Sequence, residues 1–440
     1  MWSSVPGGRV PARSVGGASS LRRTAPTIFV KGSSPLWGRS GGSTYPAMAF
    51  TRPPDRTVER ALLMAATRAF AKGEVSPELT ALISRSLDWD WILKQAEAER
   101  VAALLYSVAR PLAVPPPVLG RLRAMWVKGR RQYLLGVQQL ARVLAAFEGE
   151  GVSVIPLRGP TLADLLYRDP ALRPFTDLDL LIPEGDLSRT LPLLAALGYR
   201  HMEAGLPLSH ELAWRHAASF TAEDPDALPI DLHWGVVDYP GVVPVAPIDH
   251  QELWDRAVRV EGPGGVRWEL CPEDLLISLA LHWAVHHALS GVIWQLDLAL
   301  LILRYGDGLD WDAVVQRAGR WRIRGPVFFA LQEVRERLEA GVPVGVLGRL
   351  RPGGLRITLF DWLRHRGEER LEQLDYLVPF LVMDRGSDML RTLSSAALPP
   401  ASWLRLRYGK ASVLGGYLAH CARVGRVCVR TARASLGRAR

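Results

Sequence analysis

The chain's 440 residues are enough for two or three domains, and a hydrophobic content of 48% is that of a globular protein rather than a disordered chain. The net charge of +10 sits at the ends. Residues 1–54 hold seven Lys/Arg and residues 389–440 hold ten, with no acid in either stretch, so setting those 17 aside leaves −7 on residues 55–388. The basic pI therefore gives no support to a nucleic-acid-binding core.

Residues 1–54 are rich in Ser, Gly, Pro and Arg without an apolar h-region, which reads as a disordered tail or an over-extended start, with Met48 as the alternative initiator. An Arg-rich, acid-free leader also resembles an organellar transit peptide. From 55 to 150 the signals are helical. Ser76-Pro77-Glu78 reads as a cap, a first-turn proline and a first-turn acid, Asp88 caps the next helix, and Pro115-Pro116-Pro117 precedes a long helix over Val118–Phe147.

Between 151 and 240 the pattern changes to alternating strands and helices. Strands are expected over Val152–Leu157, Thr176–Ile182, His216–Ala222 and Pro229–Trp234, and helices over Thr161–Tyr167 and Asp186–Leu197. The fold class is thus α+β, a small mixed sheet flanked by helical regions. Residues 241–400 return to helix, expected over 273–289, 292–305, 310–319, 326–339, 355–366 and 369–383. The stretch Leu275–Leu296 lacks charge, but His282, His286, His287, Ser290, Gly291 and Gln295 interrupt it, so it reads as a buried core helix ending near Ser290-Gly291. Residues 401–440 form a basic segment whose apolar and Arg residues suit an anionic membrane surface or RNA. The cysteines, Cys271, Cys421 and Cys428, include no C-x-x-C pair, which argues against a disulfide framework and favours a reducing, cytoplasmic setting.

The chemistry concentrates in Arg173-Pro174-Phe175-Thr176-Asp177-Leu178-Asp179-Leu180. Asp177 and Asp179 alternate with Leu178 and Leu180 at the strand period of two, so both acids project from one face while the leucines anchor the other. Two carboxylates on one face can share a divalent cation, and Asp231, in the alternating segment Leu228–Trp234, is the candidate third acid. Oxygen ligands of this kind suit Mg²⁺ or Mn²⁺. Arg173 either orients Asp179, meets a phosphate or makes a structural ion pair. His233 reads as a packed histidine, and His282 and His286, one helical turn apart, have no evident third metal ligand. Asp297 reads as a cap or as the partner of a core histidine, and Arg317, Arg320, Arg322 and Arg324 as a solvated face.

On these residues the chain resembles the polymerase-β-like nucleotidyltransferase superfamily, and more closely a bacterial family of uncharacterised nucleotidyltransferases. The resemblance rests on Leu157-Arg158-Gly159, Leu166-Tyr167, Arg173-Pro174 with Asp177 and Asp179, Gly198-Tyr199, Asp231-Leu232-His233-Trp234, Pro272-Glu273-Asp274, His282, and Trp294 with Asp297. It spans about residues 60–420. It implies that Asp177 and Asp179 hold two metal ions, that Asp231 joins one of them near the attacking hydroxyl, and that Gly159 lets the chain pass close to a triphosphate.

Two departures stand out. The superfamily's Gly-Ser turn is Gly159-Pro160 here, and proline contributes no N–H, so phosphate binding leans on Gly159, Thr161 and Arg158. The gap from Gly159 to Asp177 is also longer than the usual spacing. The expectation is a Mg²⁺-dependent enzyme that moves an NMP from an NTP, ATP among them, to a hydroxyl of a small molecule or protein, with no DNA partner. The alternative is a protein that keeps the fold for binding or regulation without turnover.

Overall fold

The computed structural model describes residues 56–202, 208, 215–238, 245–262, 264–365, 383–399, 401–409 and 412–436. The tail 1–54 and nearly all of the helix expected over 369–383 lie outside the described residues.

Helix α1 (Thr57–Lys72), α2 (Pro77–Ile83), α3 (Trp89–Ala98) and α4 (Ala102–Ala109) precede the long α5 (Pro116–Gly149). Local chemistry sets their starts. The Ser76 hydroxyl accepts from the Leu79 N–H at 3.2 Å, and an Asp88 carboxylate oxygen accepts from the Trp91 N–H at 3.0 Å. Helix α5 begins two residues earlier than expected because proline's fixed φ and missing N–H suit a first turn.

The sheet has the order β1-β2-β5-β4-β3, built from β1 (Ile155–Pro156), β2 (Leu178–Leu181), β3 (Tyr199–His201), β4 (Ala217–Ala222) and β5 (Ile230–His233). β2 and β5 run parallel and the other neighbours antiparallel, so the sheet is mixed as expected. Helix α6 (Pro160–Leu166) and a 3₁₀ turn at Pro170–Leu172 occupy the long gap between Gly159 and Asp177, and α7 (Leu187–Ala196) follows β2.

Side chains split by the period of two. Leu178, Leu180, Ile230, Leu232, Ala218 and Phe220 are buried in a core shared with Leu140, Val143, Leu144 and Phe147 of α5 and Leu194 of α7. The intervening residues, Asp179, Asp231 and His233, belong to the opposite face.

Close approach fixes α5 against the connection before β2. A Cβ at Gly129 would stand 2.5 Å from the Ala171 carbonyl oxygen, and one at Gly136 would stand 2.6 Å from the Phe175 ring. Gly129→Ala is expected to lower stability by about 1–3 kcal/mol, the usual cost of overpacking. Denaturant unfolding checks this; an unchanged midpoint would show that α5 is free to shift.

Some elements differ from expectation. β1 is cut to two ladder residues because the Val154 carbonyl instead accepts from the Trp268 N–H, at 2.9 Å. Trp268 belongs to a hairpin, β6 (Val258–Gly262) with β7 (Gly265–Glu269), that the sequence reading omits, as it omits β3. The Gly-rich run around Gly264-Gly265, both at positive φ, is the turn signal for that hairpin. Helix α8 (His250–Arg256) is another omission.

The helix expected over 273–289 is α9 (Pro272–Leu281) followed by a π-helical turn at His282–His286, and it stops where Ala288 and Leu289 take φ of 50° and 59°. Helix α10 (Val292–Tyr305) comes next, and the later helices Trp311–Arg320, Arg324–Leu338 and Gly354–His365 lie within two residues of expectation. Leu275–Leu281 is buried in the helical core, as read from the sequence. Among the described residues no helix is long and apolar enough to cross a membrane.

Candidate active site

Asp179 on β2 is the register partner of Asp231 on β5. Parallel neighbours place two such side chains on one face of the sheet, and β5 is interior to the sheet rather than at its edge. Asp177 lies on the bend that enters β2, two residues before Asp179. The sheet therefore brings Asp179 and Asp231 side by side, and Asp177 stands near enough to feel both charges.

Their surroundings treat them differently. Arg158, 6% exposed, donates from Nε to Asp179 Oδ2 at 2.9 Å and from a terminal nitrogen to Oδ1 at 2.6 Å. His233 Nε2 stands 3.2 Å from the same Oδ1. Burial pushes the Asp179 carboxyl up, but Arg158 and His233 outweigh it and hold the group well below the usual carboxylate range. Asp177 has no such partner among the described residues: burial, then the charges of Asp179 and Asp231, raise it to about 7 against the pull of Arg158 and Arg100. Asp231 is raised as well, by burial and then by Asp179.

That asymmetry fixes a pH dependence. Asp177 has its raised pKa only in the fold, so in chelating buffer the protein loses stability as pH climbs from about 4 through about 7. Asp177→Asn does not titrate. Its melting temperature should match the parent's near pH 4 and exceed it increasingly toward pH 8, and a difference that stayed flat across melts at pH 4, 6 and 8 would refute the assignment.

Arg173 does not touch Asp179. It forms a buried fork with Asp297 of α10, Nε donating to Oδ1 at 2.9 Å and a terminal nitrogen to Oδ2 at 2.8 Å. Tyr167 donates its hydroxyl to Asp297 Oδ1 at 2.7 Å, and Arg173 also donates to the Gly159 carbonyl at 3.4 Å. Asp297 is thus neither a cap nor a histidine partner, as expected from the sequence, but the anchor of the Arg173 ion pair. That pair holds the Gly159 turn. Gly159 sits at φ 68° and ψ −135°, which only glycine adopts readily, and a Cβ there would also approach the Asp177 carbonyl at 3.4 Å.

Thr161, at the second position of α6, keeps a buried hydroxyl with no hydrogen-bond partner among the described residues. His233 is buried, as expected of a packed histidine, and the regular strand places it on the same face as Asp231. Around it stand His282, His286 and His287, all pushed down by burial and by neighbouring positive charge, with His282 Nε2 and His287 Nε2 3.0 Å apart. Arg317, read as part of a solvated face, instead pairs with buried Asp274 at 2.8 Å.

The donor set is all oxygen, and Asp177 and Asp231, both pushed up by burial and by the charge of Asp179, call for positive charge. Both features fit Mg²⁺ or Mn²⁺. Asp179 spends three of its roughly four lone-pair sites on Arg158 and His233 and keeps one on Oδ2. Among the described residues no group of three or more His, Cys, Asp or Glu is already gathered closely enough to hold a metal ion. A bound cation would therefore draw on Asp177 and Asp231 first.

The sequence model of a family described as "Uncharacterised nucleotidyltransferase" matches residues 85–339, a span that includes all of these groups. No curated protein matches the chain.

Proposed function

The chain belongs to this uncharacterised nucleotidyltransferase family, and we propose that it uses a divalent cation, Mg²⁺ or Mn²⁺, to move an NMP from an NTP such as ATP to a hydroxyl on a small molecule or protein. The observation that carries this reading is the register of Asp179 with Asp231, with Asp177 immediately before the strand. Nucleotidyl transfer displaces pyrophosphate in line from the α-phosphate, which places negative charge on both the attacking and the leaving oxygen. A cation, when bound, supplies the positive charge for both. Asp177 and Asp231 would hold it, and Asp231 would stand nearest the attacking hydroxyl. Asp179, clamped by Arg158 and His233, keeps a fixed orientation from which to add its remaining lone pair. Arg173, through the Gly159 carbonyl, positions the turn beside which the triphosphate would lie.

The test is release of pyrophosphate by the full chain with Mg²⁺, each NTP in turn, and a panel of small-molecule and protein hydroxyl acceptors. Release should require Asp231 and stop in Asp231→Asn. Tight nucleotide binding with no turnover on any acceptor would favour the second reading, a binding or regulatory protein. That reading draws on the engagement of Asp179 by Arg158.

The mildly acidic middle of the chain argues against DNA as acceptor, and a cytoplasmic placement follows from its cysteine usage. The acid-free end, with the helix Val413–Leu436, would let the enzyme rest on an anionic membrane surface or on RNA.

A further inference from the structure

Phosphate binding is expected of Gly159, Thr161 and Arg158, yet Arg158 is spent on Asp179, Arg173 on Asp297, and the Gly159 carbonyl on Arg173, which leaves the Thr161 hydroxyl and no cation. A different cation remains. Arg100 lies in the turn between α3 and α4, outside every motif, at φ 60°, a left-handed conformation that is uncommon for a residue with a Cβ. The turn is pinned from both sides. The Glu99 carboxylate accepts from the Val292 N–H at 2.8 Å, capping α10, and the Arg100 guanidinium lies over the Trp294 ring, 5.4 Å from its centroid. Trp294 in turn stacks on His287 with centroids 3.5 Å apart.

Trp294 stands one helical turn before Asp297 on α10, so the Arg100 guanidinium lies beside the Arg173–Asp297 pair that holds Gly159, within electrostatic reach of Asp177 and Asp179. Among the described residues, however, no carboxylate or carbonyl forms a hydrogen bond or ion pair with its guanidinium. The Trp294 ring holds the guanidinium in place while leaving its N–H donors uncommitted, and five N–H donors in a planar fork match phosphate oxygens.

We propose that Arg100 binds the phosphate chain of the incoming nucleoside triphosphate, doing for this site what the Gly159-Pro160 turn cannot. The assignment rests on the nucleotidyltransferase reading above, and it adds a residue from the N-terminal helical region to the site.

The experiment is calorimetric titration, with Mg²⁺, of ATP, AMP and inorganic tripolyphosphate into the full chain and its Arg100→Gln and Arg100→Lys variants, with near-ultraviolet circular dichroism to confirm that Trp294 keeps its setting. Arg100→Gln should weaken ATP and tripolyphosphate about 10- to 100-fold, the scale of a lost charge-assisted contact, and leave AMP within about twofold. Arg100→Lys should fall between Gln and the parent. ATP binding that is equal in all three proteins would overturn the proposal and leave the nucleotidyltransferase reading standing. Tripolyphosphate bound through Arg100 with no affinity for any nucleotide would support the phosphate contact while removing the nucleotide reading. A parent chain that binds neither ATP nor tripolyphosphate would overturn both.

Discussion

Asp179→Asn is expected to cost about 3–5 kcal/mol of stability at pH 7, because it leaves Arg158, 6% exposed, as a buried charge whose paired carboxylate is gone. The sign follows from the depressed carboxyl. Asp179 stabilises the fold above the ordinary carboxylate pKa and loses that contribution as pH falls, so the gap between parent and variant should narrow in acid. Transfer should fall in the same variant by about 10²–10³-fold or more, the scale on which one preorganised electrostatic contact acts. The neighbouring Asp231→Asn is the control. Its carboxyl is raised rather than depressed, so the variant should lose transfer while keeping or gaining stability at pH 7. Urea unfolding of the two variants side by side checks the pair, and equal losses of stability would contradict the clamp assigned to Arg158.

Asp297→Ala should be comparably severe, although Asp297 lies on α10, well away in sequence from the strand acids. It strands the Arg173 guanidinium and the Tyr167 hydroxyl, both buried, and the expected loss is about 3–5 kcal/mol. Apolar replacement of both partners, Arg173→Met with Asp297→Leu, should recover much of that stability, because neither charge is then left alone. Transfer should stay low in the double variant. The Gly159 carbonyl has still lost its donor, and the turn is no longer held. Melting temperatures and transfer rates of the two singles and the double separate these roles. A double variant that regained full transfer would remove Arg173 as a positioning residue.

What the sequence disclosed about the site follows from the range of each interaction. The alternation of Asp179 with Leu178 and Leu180 is local, and the strand period alone divides acid face from core face. The caps at Ser76 and Asp88 are equally local, three residues from their partners. The pairing of Arg158 with Asp179 depends on β1 lying beside β2 in one particular register, and nothing near Arg158 distinguishes a phosphate ligand from a carboxylate clamp. Arg173 and Asp297 are 124 positions apart, so the ion pair that holds Gly159 has no local signature. His233 is buried, as a packed histidine should be, and its contact with Asp179 depends on β5 being regular, which no residue beside it announces. Arg100 follows an ordinary amphipathic helix and lies outside every motif; only the docking of Glu99 on α10 brings it to the site.

The central claim is that Asp177, Asp179 and Asp231 form one cation-dependent nucleotide site. Calorimetric titration of ATP, GTP, CTP and UTP into the full chain, with and without Mg²⁺, and into the Asp177→Asn/Asp231→Asn variant, tests it most directly. The two replaced acids are those whose carboxyls burial pushes up, so removing their charge should leave the variant folded. Binding of at least one nucleotide that needs both Mg²⁺ and the two acids is the predicted result. Nucleotide binding of equal strength without Mg²⁺, or in the folded variant, would contradict it.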